Sequence, residues 1–95
     1  MLLGSVDGDV NSHGGGNLHA SQFDVLINNK PTIVLGDSAS PDSKCPKDGG
    51  NHCNPKASTA SSDVFVHNIP AHRQSDLRSC GANTIVIGQS NVFIN

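Results

Sequence analysis

The sequence predicts an all-β fold with threefold pseudo-symmetry, and three observations carry that expectation. One unit recurs along the 95 residues. Its apolar residues come in short β-branched or aromatic runs, punctuated by Gly, Asn, Ser and Pro. No window of helical length carries apolar residues at three-to-four spacing.

The repeat comes from two ungapped overlays. Asp9–Asn28, DVNSHGGGNLHASQFDVLIN, lies over Asp76–Asn95, DLRSCGANTIVIGQSNVFIN. Leu18 falls on Ile85, Ala20 on Ile87, Leu26 on Phe93 and Ile27 on Ile94. His13 falls on Cys80, each between a Ser and a Gly. Asp24–Asp37 likewise lies over Asp63–Asp76. A third copy occupies the middle, with Ser38–Ser62 as a long insertion. Units this short cannot bury their faces alone and must stack. Residues 1–95 therefore read as a single domain with an insertion at 38–62. The strand runs are Val25–Ile27, Val64–Val66, Ile85–Ile87 and Val92–Ile94. Asp9, Asp37 and Asp76 recur at unit boundaries, where turn capping suits them better than acid–base chemistry.

Core material is scarce. Only 35% of the residues are hydrophobic, with three Phe and neither Trp nor Tyr, so a staple is expected. A net charge of −2 gives no electrostatic reason to bind nucleic acid or an anionic membrane. No apolar run approaches the ~20 residues of a membrane helix, and the start does not read as a secretory signal. Three Cys beside five His favour metal binding over a pure disulfide framework, which would leave one thiol over. Ser38–Ser62 holds no large apolar residue, and so long a loop needs something to pin it. Its Cys45, His52 and Cys53 supply a reason. The repeat places His13 and Cys80 at equivalent positions around one apex, with the third position expected inside the insertion. No nucleophile elbow, metalloprotease helix or phosphate loop is present, so no enzyme is expected.

Ser12-His13-Gly14-Gly15, Pro70-Ala71-His72-Arg73 and Ser79-Cys80-Gly81, in this order, closely resemble the PAAR-repeat family. The resemblance implies a small cone of short β-hairpins that forms the metal-bound tip of phage-tail and type VI secretion spikes. It implies one Zn2+ per chain, held by His13, His52 and Cys80. The family's remaining His normally stands two residues before a Cys-Pro pair, where this chain has Ser43. Cys45 is therefore favoured as the fourth ligand, with Cys53 the alternative. The implied partner is a trimeric β-helix spike, either a phage central spike or a VgrG-like protein. One monomer would cap each trimer, with transient contact with the target membrane and a place in the virion or in a type VI apparatus. The competing expectation is a zinc-stapled binding module with another protein partner.

Overall fold

The computed structural model describes residues 1–47 and 50–95. Two positions of the 38–62 insertion, Asp48 and Gly49, thus lie outside the described residues. Among the described residues, the secondary structure is eight two-residue strands and one 3₁₀ turn, Gly50–His52. The strands are β1 (Leu2–Leu3), β2 (Val10–Asn11), β3 (Leu26–Ile27), β4 (Lys30–Pro31), β5 (Phe65–Val66), β6 (Ile69–Pro70), β7 (Thr84–Ile85) and β8 (Phe93–Ile94). All pairing is antiparallel: β1 with β8, β2 with β7, β3 with β4 and β5 with β6.

These strands are shorter than the apolar runs predict, and two of the runs reverse at once. β3 and β4 are joined by Asn28 and Asn29, at φ 52° and 68°. β5 and β6 are joined by His67 and Asn68, at φ 53° and 67°. Two consecutive left-handed residues make the tight hairpin turn that matches strand twist, and Asn tolerates that conformation well. The third hairpin is assembled from β8 and β1, with Leu2 opposite Ile94 and Leu3 opposite Phe93.

Behind the hairpins the threefold relation closes on itself. The Ser5 N–H donates to the His72 carbonyl at 3.0 Å, Ile33 to Ser5 at 3.0 Å, and His72 to Ile33 at 2.9 Å. All three residues are fully buried. This ring ties three chain segments around one axis. Single bridges repeat the cycle: Val6 with Thr32, Val34 with Ala71, and Gly4 with Arg73.

Next along each segment comes a capped turn. The Asp9, Asp37 and Asp76 carboxylates accept from the N–H of Val6, Val34 and Arg73, at 2.8, 2.9 and 2.9 Å. The preceding residue is left-handed each time: Gly8 at φ 93°, Gly36 at 90° and Ser75 at 73°. The three aspartates are thus turn caps, as their recurrence predicts. Gln22, Ser61 and Gln89 cap the turns that enter the hairpins, each accepting two backbone N–H groups.

Two small apolar clusters fill the interior. One joins Leu18, Ile33, Ala39 and Ala57; the other joins Val34, Val66 and Ala71. The first contains two residues of the insertion, which packs as a lid over Leu18. Ile85 is equivalent to Leu18 in the repeat but lacks such a lid, and it is exposed together with Ile87. On the alternating positions of the same stretch, Ala82, Thr84 and Val86 face inward. Side chains alternate at period two along this stretch, with the isoleucines on its outer face.

Candidate metal centre

Beyond its capped turn each segment makes one excursion and returns. The excursion after Asp9 carries His13, that after Asp37 carries Asp42 and His52, and that after Asp76 carries Cys80. The excursions also pair cyclically: Asn11 bridges to Thr84, Ala39 to Leu18 and Arg78 to Ala57. Hairpins and excursions therefore lie on opposite sides of the buried ring along the chain. The ligating atoms of His13, Asp42, His52 and Cys80 converge within 4.8 Å of one another.

Asp42 stands at the focus. Its Oδ2 lies 3.3 Å from His13 Nδ1, 3.1 Å from His52 Nδ1 and 3.5 Å from Cys80 Sγ. Asn11 Nδ2 donates to the same oxygen at 3.2 Å, and the Lys44 N–H donates to Oδ1 at 2.9 Å. Burial alone would push this carboxyl up. Hydrogen bonds from His52, the Lys44 backbone, Asn11 and Cys80 outweigh it and hold the group well below the usual carboxylate range. Burial, together with the neighbouring Asp42, pushes the Cys80 thiol up. A bound cation would invert that preference and favour the thiolate.

The supporting residues explain the local sequence. Asn11 Oδ1 accepts the His13 N–H at 3.0 Å, fixing that residue's backbone from its own segment. The Ser43 hydroxyl donates to the His13 carbonyl. Gly14-Gly15-Gly16 turns the chain sharply, at φ 91°, 77° and 64°. A Cβ on Gly16 would sit 2.4 Å from Asn11 Nδ2, so a side chain there would displace Asn11. The Gly16 carbonyl accepts from Arg78 Nη1 at 2.6 Å. Arg78 is almost wholly buried and also donates to the Asp9 and Val10 carbonyls and to Thr84. Its guanidinium pKa is lowered to about 10 by burial, despite the attraction of Cys80, Asp9 and Asp42.

The donor set fits a tetrahedral metal. Bonds of about 2.0–2.3 Å to nitrogen, oxygen and sulfur place neighbouring ligand atoms roughly 3.3–3.8 Å apart. The three separations around Asp42 Oδ2 lie near that range. One thiolate and one carboxylate would balance a divalent charge, and two neutral imidazoles complete four ligands. Thiolate and imidazole suit zinc better than magnesium or calcium.

Three predicted positions, His13, His52 and Cys80, are thus brought together, and Cys45 is not. Cys45 is bonded to Cys53, so neither sulfur is available as a thiolate ligand. The expectation that Cys45, or Cys53 in its stead, completes the set is therefore replaced by Asp42. A usable signal was the repeat itself. His13 and Cys80 each stand four residues after their capping aspartate. The same step from Asp37 reaches Pro41, which cannot ligate, and the carboxylate follows at the next residue.

Among the remaining histidines, His19 is exposed, His67 sits in a hairpin turn 3.3 Å from Asp24, and His72 is buried in the ring. Fold and site together define a small all-β repeat protein whose three segments meet at a candidate metal centre. The family model for the PAAR motif matches residues 7–83, and the chain belongs to that family. The family forms spike tips in type VI secretion systems and phage tails, a structural role. A comparison with curated proteins gives no match. Among the described residues, no helix is long and apolar enough to cross a membrane.

Proposed function

We propose that residues 1–95 act as one PAAR unit that caps a trimeric β-helical spike, one chain per trimer. The hairpin end docks on the spike, and the opposite end, pinned by one Zn2+ on His13, Asp42, His52 and Cys80, forms the point. The observation that carries this reading is the closed ring of Ser5, Ile33 and His72 with three similar hairpins on one side of it. A single chain thereby offers three near-equivalent surfaces, which is what three identical partner chains require.

The apolar surface supports the same reading. All three Phe are on the outside: Phe23 is 70% exposed, Phe65 54% and Phe93 49%. A chain poor in core material that leaves its only aromatics in solvent gains burial by docking. On the axis lies a cavity of about 190 Å³. Two threefold sets line it, Val25, Val64 and Val92, then Ile27, Val66 and Ile94. Its place in the virion or in a secretion apparatus, and its passing contact with a target membrane, follow from this role.

The test is native mass spectrometry of the chain mixed with a trimeric β-helical spike protein of the VgrG or phage central-spike type. A complex of one chain with three spike chains, lost in Phe65→Asp/Phe93→Asp, is expected. A chain that stays free, or that binds three copies per trimer, contradicts the proposal.

A further inference from the structure

The Cys45–Cys53 bridge spans almost the same loop as two of the candidate ligands. Asp42 stands three residues before Cys45, and His52 is the immediate neighbour of Cys53. The bridged Cα atoms are 4.9 Å apart. The Asp42 N–H donates to the His52 carbonyl at 2.9 Å, and the Cys45 N–H to the Asp42 carbonyl at 3.1 Å. Residues 43–54 contain no large apolar side chain. Among the described residues of this stretch, hydrogen bonds tie it to the rest and the bridge ties it to itself. Both cysteines are half-buried, within reach of a dissolved thiol.

We propose that the Cys45–Cys53 disulfide is a redox clasp on the metal centre. With the bridge formed, Asp42 and His52 are held together and metal binds tightly; with the bridge reduced, they lose that cross-link and metal binds more weakly. This rests on the reading of His13, Asp42, His52 and Cys80 as a metal site. Disulfide and metal each close the same loop, so whichever forms second has less chain freedom left to remove. The coupling is reciprocal: bound metal must favour the disulfide by the factor by which the disulfide favours metal. Reduction is ordinary thiol exchange. Two glutathione thiols break one S–S bond, each protein sulfur takes a hydrogen, and one glutathione disulfide forms. A tip assembled among cellular thiols would be loosely metallated, and one exposed to an oxidising exterior would be locked.

The test is chelator competition for Zn2+ on the full chain, oxidised and then reduced with a phosphine, beside Cys45→Ser/Cys53→Ser. The reduced chain and the double variant should both bind zinc more weakly than the oxidised chain, by a factor of roughly 5 to 150. Equal affinities would overturn the clasp and leave the metal site standing. Tighter binding by the reduced chain alone would also overturn it, since the thiols would then be ligands. Zinc bound by neither form would remove the metal site and the clasp with it. A second readout holds even if the reduced chain unfolds. In a glutathione buffer, added Zn2+ should shift the chain toward the disulfide by the same factor; no shift, or a shift toward dithiol, refutes the proposal.

Discussion

The hairpin side and the excursion side of this protein are held by different physics. On the hairpin side the same device occurs three times: an Asp-capped turn, a bridge to the next segment and a ring hydrogen bond. Each copy supports its neighbours, so symmetry stands in for a large core. On the excursion side the three segments differ. One brings a His, one an Asp and a His under a disulfide, and one a Cys. Beyond the cyclic bridges between neighbouring excursions, what the three share is the meeting point. A repeat thus needs to specify only a scaffold, and a single convergent site can then be built from unlike residues.

The two sides are joined by a hydrogen-bonded chain. His72 Nδ1–H donates to the Thr59 carbonyl at 2.7 Å, and in the neutral imidazole Nε2 accepts from the Thr84 hydroxyl at 2.6 Å. That hydroxyl accepts in turn from Arg78 Nε at 2.6 Å. The tautomer follows from the partners, since a carbonyl can only accept. Burial contributes most to the lowered His72 pKa and favours that neutral imidazole.

The largest effect should come from breaking a cap. The buried Asp9 carboxylate serves the Ser5 hydroxyl and the N–H groups of Val6, Ile87 and Gly88. Asp9→Ala strands those donors at about 1–3 kcal/mol each where they stay buried. A loss of at least 3 kcal/mol in denaturant unfolding is expected, with both sides melting together.

Removing metal should separate the two sides. A chelator applied to zinc-loaded protein should release amide protection at Asp42, Ser43 and Cys45, while Ser5, Ile33 and His72 stay protected. Hydrogen exchange read by mass spectrometry checks this. Uniform loss of protection would mean that the sides are not distinct.

Acid should act on the joint between them. The folded pKa of His72 lies below 6.5, so the unfolded chain binds the extra proton first. Stability from this group is complete above pH 6.5 and falls as pH drops below it, by at most about 1.4 kcal/mol per unit. At lower pH the Asp76 carboxyl takes over. Burial raises its pKa, but the Arg73 and Thr59 hydrogen bonds bring it below 3.8. Its contribution is present above that value and disappears as pH falls through the folded pKa. Thermal melts of wild type and His72→Gln should converge as pH falls from 7 to 5. Parallel curves would place the titration elsewhere. The smallest effect belongs to the exposed His67–Asp24 contact, between one hairpin turn and the bend that leads into β3. Asp24→Asn should change stability by no more than about 0.5 kcal/mol.

Much of this was legible in the sequence, for a physical reason. Turn chemistry is local, so Asp9, Asp37, Asp76 and the Asn28-Asn29 turn announce themselves by residue type and spacing. The repeat also carried His13 and Cys80 to one place without any structure. Asp42 was hidden because a carboxylate in a polar loop looks like solvated surface until its neighbours bury it. The Cys45–Cys53 bridge was hidden because an odd cysteine count argues against disulfides as a set, although it is compatible with one bridge plus one free thiol. Burial of Leu18 against exposure of Ile85 was hidden too, since identical repeat positions differ only in whether the insertion covers them.

The central claim is that unlike residues on three equivalent segments share one metal. Native mass spectrometry of the oxidised chain equilibrated with Zn2+, beside Asp42→Asn and Cys80→Ser, tests it most directly. One zinc per wild-type chain, lost or sharply weakened in each variant, is the predicted result. A folded wild-type chain that takes up no zinc, or variants that hold it as tightly, would contradict the account.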